Sequence, residues 1–255
     1  MRIAALYDIH GNQPALEAVL REVEREGVEV ILIGGDIAWG PFPRETVDHL
    51  QHLENATFIR GNADREVAQR LGTADGIDEI TADITLWVAD QLTNEQQQWL
   101  DRLATSFVAD VDGIGDVMFC HGSPRSDEEV ITPLSPVDRL RTALAEVRER
   151  TIVCGHTHMQ FERDVGSHHV INAGSVGMPY QREPGAYWAL LGPNIEFRRT
   201  NYDTKAAATA MKASGCPHVA EAFIETMLHP PPAEEVASHF EAMEAGRASP
   251  PSSIG

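Results

Sequence analysis

The sequence predicts an α/β protein in which two β-sheets stack face to face with helices on their outer sides. Three observations point to this. Short apolar runs alternate with helix-period segments as far as residue 105, the β/α alternation of layered folds. From 106 to 200 strand-like runs dominate, several parted by Gly-containing turns. Five of the apolar runs end in side chains able to hold a metal: Asp8 and His10, Asp36, Asn62, His121, then His156 and His158. Crevices beyond the C-terminal ends of sheet strands are where α/β folds bind ligands.

Residues 2–7 read as the first strand. Asn12 caps a helix whose Ala15, Leu16, Val19, Leu20 and Val23 follow the 3.6-residue period; Pro14 sits early in it and Gly27 ends it. Strand 29–33 leads through Gly34-Gly35 to Asp36 and a helix at 44–54. Strand 57–60 reaches Gly61-Asn62, and 64–105 reads as helical, with a Thr93/Gln96 capping box before Trp99, Leu100 and Leu103. Strands 106–112 and 116–120 flank Gly113-Ile114-Gly115 as a hairpin. Residues 123–133 form a polar loop, Ser135-Pro136 opens a helix to about 149, and strands follow at 151–154, 159–165, 168–172, 186–191 and 195–200. The expected division is a 1–202 catalytic domain, helices at 203–246 packed on it and interrupted by Gly215 and Pro230-Pro231-Pro232, and a flexible tail at 247–255.

Composition narrows the function. With 255 residues, 42% hydrophobic and 23% charged, the chain can bury a sizeable core. Against 20 Lys and Arg stand 39 Asp and Glu, a formal charge of −19 that opposes nucleic-acid polymers as partners. Cys120, Cys154 and Cys216 form no CxxC, and two of them close strand-like runs, as buried thiols do in a reducing compartment. A strand begins within two residues of Met1, and no apolar stretch approaches the roughly 18–20 residues of a membrane span. A cytoplasmic protein with no membrane partner is expected, with homo-oligomerisation left open.

Asp8/His10 and His156/His158 are i, i+2 pairs. In extended backbone such residues point the same way, and strands side by side would deliver all seven ligands to one rim of a sheet. Carboxylate, imidazole and amide oxygen favour manganese, iron or zinc over a thiolate-preferring metal. Seven ligands suit two ions sharing a carboxylate, at roughly 3.5–4 Å from each other. Each fragment alone means little, since an Asp after Gly is usually turn chemistry. The weight lies in all of them following strands. Histidines 49, 52, 168, 169, 218, 229 and 239 are left to structural roles.

Together, Asp8-Ile9-His10-Gly11-Asn12, Gly35-Asp36, Gly61-Asn62-x-Asp64, His121-Gly122 and Gly155-His156-Thr157-His158 resemble the five blocks of the calcineurin-like metallophosphoesterases. The segment Asn172-Ala173-Gly174-Ser175-Val176-Gly177 is most similar to the small prokaryotic phosphodiesterase branch. The resemblance covers about residues 1–200 and implies a four-layer fold, two mixed sheets as a sandwich with helices on both outer faces. It implies two divalent ions, manganese as first choice with iron, zinc or nickel as alternatives. Asp8, His10 and His158 would hold one; Asn62, His121 and His156 the other; Asp36 would bridge. Of these, Asp36, Asn62 and His121 are the candidate catalytic residues, with Asn12 and Arg125 as candidate substrate contacts. The implied reaction is hydrolysis of a small phosphoester, most simply a diester, by in-line attack of a metal-bridging hydroxide. A phosphomonoesterase, a dinucleoside-polyphosphate hydrolase and a non-catalytic binding scaffold are the competing readings.

One position departs from the pattern. Many family members carry His after Gly-Asn, where it assists the leaving group; here it is Ala63. Some phosphodiesterase-like relatives also lack it, but its absence argues against a calcineurin-type phosphoserine phosphatase. Asp64 is expected to orient a neighbouring ligand or cap the helix that follows, and Trp39 and Tyr180 to pack or to stack on a base.

Overall fold

The computed structural model describes residues 1–248. Two five-stranded sheets form its centre. In the first, β1 (Ile3–Leu6), β2 (Val30–Ile33) and β3 (Ala56–Phe58) run parallel. An antiparallel pair late in the chain (Ala186–Leu191 and Ile195–Thr200, named β9 and β10 below) extends this sheet beyond β1. The second sheet holds β4 (Ser106–Val111), β5 (Gly115–Cys120), β6 (Thr151–Cys154), β7 (Gln160–Val165) and β8 (His168–Ala173). Its spatial order is β4-β5-β6-β8-β7, with β5, β6 and β8 parallel. Antiparallel β9 and β10 in the first sheet, and β4 and β7 in the second, make both sheets mixed.

Burial explains the unbroken apolar runs. Along β1, Ile3 and Ala5 face the second sheet and pack in one cluster with Phe119, Val153 and Ile171. Ala4 and Leu6 face the other way, among Leu16, Val19, Val47 and Leu100 of the helices. A strand covered on both faces has no need of polar alternation. Helices α1 (Gln13–Glu26), α2 (Pro43–Gln51), α3 (Asn62–Gln69), α4 (Glu79–Gln91) and α5 (Asn94–Asp101) contribute to that outer layer. On the opposite side, α6 (Val137–Ala143) supplies Leu140 and a C-terminal helix supplies Ala237 against Ile152, Phe161 and Val165. The whole is the expected sandwich with helices on both outer faces.

The C-terminal region comprises α7 (Thr204–Ala213), a π-helical turn at 220–224, α8 (Glu225–Leu228) and α9 (Ala233–Ala248). Ala207, Met211, Phe223 and Met227 join the first helical layer, whereas α9 packs on the second sheet. The helix α9 carries the backbone to Ala248, and the remainder of the expected tail lies outside the described residues.

Residues 64–105 are helical as expected and divide into α3, a 3₁₀ turn at 73–75, α4 and α5. Arg70 and Gly76 take left-handed conformations that end the first two, and Thr93 recaps the chain with the expected box. The helix after Ser135-Pro136 stops at Ala143 rather than near 149. Beyond Leu144, little apolar side chain remains to bury.

Candidate metal centre

All seven predicted ligands converge, but not on one rim of a single sheet. Asp8, His10, Asp36 and Asn62 follow β1, β2 and β3; His121, His156 and His158 follow β5 and β6 of the other sheet. Level register, with Leu6 opposite Ile33 and Phe119 opposite Val153, brings the parallel ends out together on each side. The centre therefore lies where two rims meet.

The i, i+2 pairs also converge differently from expectation. Seven non-glycine residues among those described have positive φ, and five are predicted ligands: Asp8 (52°), His10 (49°), Asp36 (53°), His156 (65°) and His158 (58°). The chain turns through left-handed conformations instead of continuing as strand. Each costs about 1–2 kcal/mol, and such strain concentrates where function demands a geometry. Backbone hydrogen bonds offset it. Asp8 N–H donates to Gly35 O (3.1 Å), His10 N–H to Asp36 O (2.9 Å), and Gly155 N–H to His121 O (2.8 Å).

The segment 172–177 locks these loops from behind. Asn172 Nδ2 donates to Gly155 O (2.6 Å) and Thr157 Oγ1 (3.0 Å), while Ser175 Oγ and Gly177 N–H donate to Asp8 O. Asp64 ties two loops together, accepting from Ile37 N–H (2.8 Å) and Gly61 N–H (3.0 Å). It thus both caps α3 and holds the loop that carries Asp36. Gly61 must be glycine, since a Cβ there would lie 2.1 Å from Asp36 Oδ1.

The side chains form two clusters that share one residue: Asp8, His10, Asp36 and His158, and Asp36, His121 and His156. Asp36 Oδ2 lies 3.6 Å from His10 Nε2, while its Oδ1 lies 3.4 Å from His121 Nε2. Asn62 joins the second cluster, its Oδ1 3.2 Å from His121 Nε2. Its Nδ2 donates to Glu66 (3.3 Å), which keeps the oxygen turned inward.

The donor set fits divalent metal. His10, His121 and His158 each place Nδ1 against a backbone carbonyl, of Trp39, Gly34 and Met178. A carbonyl only accepts, so Nδ1 carries the proton and Nε2 presents a lone pair. His10 Nε2 and His158 Nε2 stand 3.0 Å apart. Two lone pairs that close, beside buried carboxylates, call for a cation.

Electrostatics among the protein groups agree. Burial pushes Asp8 well above the usual carboxylate range, with Asp36 adding to the shift. Burial would raise Asp36 too, but His121, His10 and His156 hold it well below. His121 feels burial downward, yet Asp36 and Asp8 push it to about 10, so the surroundings demand positive charge there. His156 falls to about 4 and His158 well below its ordinary value, both by burial first, which leaves them neutral and free to ligate.

Around the centre, Tyr180 stacks on His158 (4.9 Å, 26°) and Trp39 meets His10 edge-on (5.5 Å). Trp39 Nε1 donates to Thr85 Oγ1 (3.0 Å). Both aromatics thus pack against ligand rings. Asn12 is buried in a structural role, its Oδ1 accepting from Ala15 N–H and its Nδ2 donating to Gly177 O. Arg125 is half exposed and paired with Glu129. It lines a cavity beside His121 and a shallow one with Glu128 and Glu129, not the cavity of about 360 Å³ that opens on Asn62 and His156. Glu66, the partner of Asn62, was not apparent from sequence; its position one helical turn after Asn62 is the only available signal. Ala63 N–H donates to Asp36 Oδ1 (2.9 Å), so this residue serves the centre through its backbone.

Comparison with known proteins agrees with this geometry. The calcineurin-like phosphoesterase superfamily domain matches residues 1–192. An uncharacterised protein of Methanocaldococcus jannaschii is 29% identical over 226 residues, 80% of this chain and 89% of that one. A hypothetical protein from Pyrococcus horikoshii superposes with a TM-score of 0.77 at 25% identity, covering 91% of this chain and 99% of its own. A metallophosphoesterase from Sphaerobacter thermophilus gives 0.68 at 27% identity, with coverages of 89% and 99%. The chain belongs to the calcineurin-like phosphoesterase superfamily, whose members use divalent metals to act on phosphoesters, and a buried Asp/His cluster able to bind metal stands at the matching strand ends.

Proposed function

We propose that the protein is a phosphodiesterase with two divalent cations, manganese by preference, one held by Asp8, His10 and His158 and one by Asn62, His121 and His156. Asp36 carries this reading, because its two oxygens face the two clusters separately. Bound there, the ions would make a hydroxide nucleophile available near neutral pH and offset the charge of the phosphate. The chain's own contribution is rigidity. Carbonyls fix three imidazoles, Glu66 fixes Asn62, and the amides of Ala63 and His156 fix the two carboxylates. With alanine at position 63, no side chain there protonates the leaving group.

The cavity that opens on Asn62 and His156 favours a diester. Its walls carry Glu66, Asp75, Asp78 and Glu128, and among the described residues lining it none is Lys or Arg. A phosphate bearing one negative charge enters such a field at less cost than a monoester dianion or a polyphosphate chain. The test is purified, manganese-loaded protein on bis(4-nitrophenyl) phosphate and 4-nitrophenyl phosphate. The diester is expected to win in kcat/KM by on the order of ten-fold; preference for the monoester refutes the diester reading. If neither Asp36→Asn nor His156→Ala changes the rate, the activity belongs to another site. Three unpaired, buried cysteines support a cytoplasmic home. Among the described residues no helix is long and apolar enough to cross a membrane.

A further inference from the structure

We propose that α9 is the specificity wall of the active site, where Phe240 and Met243 receive an apolar organic arm of the phosphoester that carries no negative charge. The inference rests on the metal-centre reading. The matched family domain ends at residue 192 and α9 begins at 233, so this wall lies outside the matched domain. Phe240 and Met243 line the same cavity that Asn62 and His156 line, and Ile77 and Val130 add to its apolar surface. Met243 is 43% exposed on a helix whose Ala237 is buried in the core. Its apolar surface is thus turned to the cavity rather than spent on docking.

The helix is held at a defined place. Glu241 accepts from Thr132 Oγ1 (2.8 Å), Ser135 Oγ (2.6 Å) and Arg139 (2.8 Å). The same Arg139 donates to Val130 O (3.1 Å), tying the clasp to another cavity residue. Phe240 also sits 6.3 Å from Tyr180, whose ring stacks on His158. One contiguous packing path therefore joins the wall to a metal ligand. Glu241 is a positioning residue: it does not line the cavity but sets where the lining side chains stand.

The test uses the full-length, manganese-loaded protein and two inert monoanionic probes, methyl(phenyl)phosphinate and dimethylphosphinate, with affinities from calorimetry. Wild type is expected to bind the phenyl probe on the order of ten-fold more tightly, as burial of an aromatic ring predicts. Phe240→Ala with Met243→Ala should bring the two within about two-fold by weakening the phenyl probe alone. Glu241→Ala should do the same without touching the cavity, and Glu241→Gln, which keeps an acceptor for both hydroxyls, should recover part of the discrimination. Hydrogen exchange over 233–246 establishes that α9 stays helical in the Phe240/Met243 variant. Equal affinities in wild type, or undiminished discrimination in that variant, overturn the inference and leave the metal centre standing. Failure of both probes to bind overturns the inference together with the metal-centre reading.

Discussion

Replacing Asp8 with Asn separates the cost of the site from its purpose. Asp8 is fully buried and left-handed, and lies in the same cluster as Asp36. Asn suits that backbone, keeps an oxygen for the His156 amide, and cannot carry charge. A buried carboxylate without its cation costs about 1–3 kcal/mol more than a neutral isostere. In chelator-treated protein Asp8→Asn should therefore raise stability. At roughly 2–4 °C per kcal/mol for a chain near this size, Tm should rise by roughly 2–12 °C.

The pH dependence has a definite sign. Burial raises the Asp8 carboxyl in the folded state, so the group is neutral in both states below its unfolded value of about 3.9 and imposes no penalty there. The penalty builds as pH rises above the unfolded value and is complete once pH has passed the raised folded value. The gap between variant and wild type should be near zero at about pH 4 and widen toward neutrality. With manganese at 100 times its dissociation constant, wild type gains about 2.7 kcal/mol and the order should invert. Thermal unfolding followed by circular dichroism, with and without manganese across this pH range, reads all of it. A chelated variant no more stable than wild type at pH 7, or an order unchanged by manganese, would refute the reasoning.

Further expectations follow from single positions. Gly61→Ala places a Cβ 2.1 Å from Asp36 Oδ1 and 2.5 Å from Asp36 N, so Asp36 must move; manganese affinity should fall and stability drop by about 1–3 kcal/mol, measured by calorimetry and thermal unfolding. With no acid at Ala63, rates should depend steeply on leaving-group pKa, aryl arms leaving far faster than alkyl by at least the ~10²-fold a general acid supplies. A flat dependence under rate-limiting chemistry would contradict this. Burial acts upward on Glu241, but Ser135, Thr132 and Arg139 hold its carboxyl below the usual glutamate range. Its docking contribution is present above about pH 4.3 and lost as pH falls through the lower folded value. Hydrogen exchange should show α9 losing protection in acid before β1 and β6 do.

The candidate ligands were readable because each follows a short apolar run, and most of these runs are strands buried on both faces. Local chemistry was equally plain at Asn12, Gly27 and the Thr93/Gln96 box, where a cap is decided within four residues. What stayed hidden depends on partners distant in sequence. That the ligand rims belong to two sheets follows from the order β10-β9-β1-β2-β3 beside β4-β5-β6-β8-β7, which pairs strands far apart in the chain. The left-handed turns at Asp8, His10, Asp36, His156 and His158 have no signature of their own, because Asp and His are ordinary strand-end residues until Gly35 O, Asp36 O and Ser175 Oγ hold the backbone. Nor does the sequence of α9 say which cavity Phe240 and Met243 line; that is set by Glu241 meeting Thr132, Ser135 and Arg139 across about a hundred residues. Pattern names the chemistry a chain carries, and long-range packing aims it.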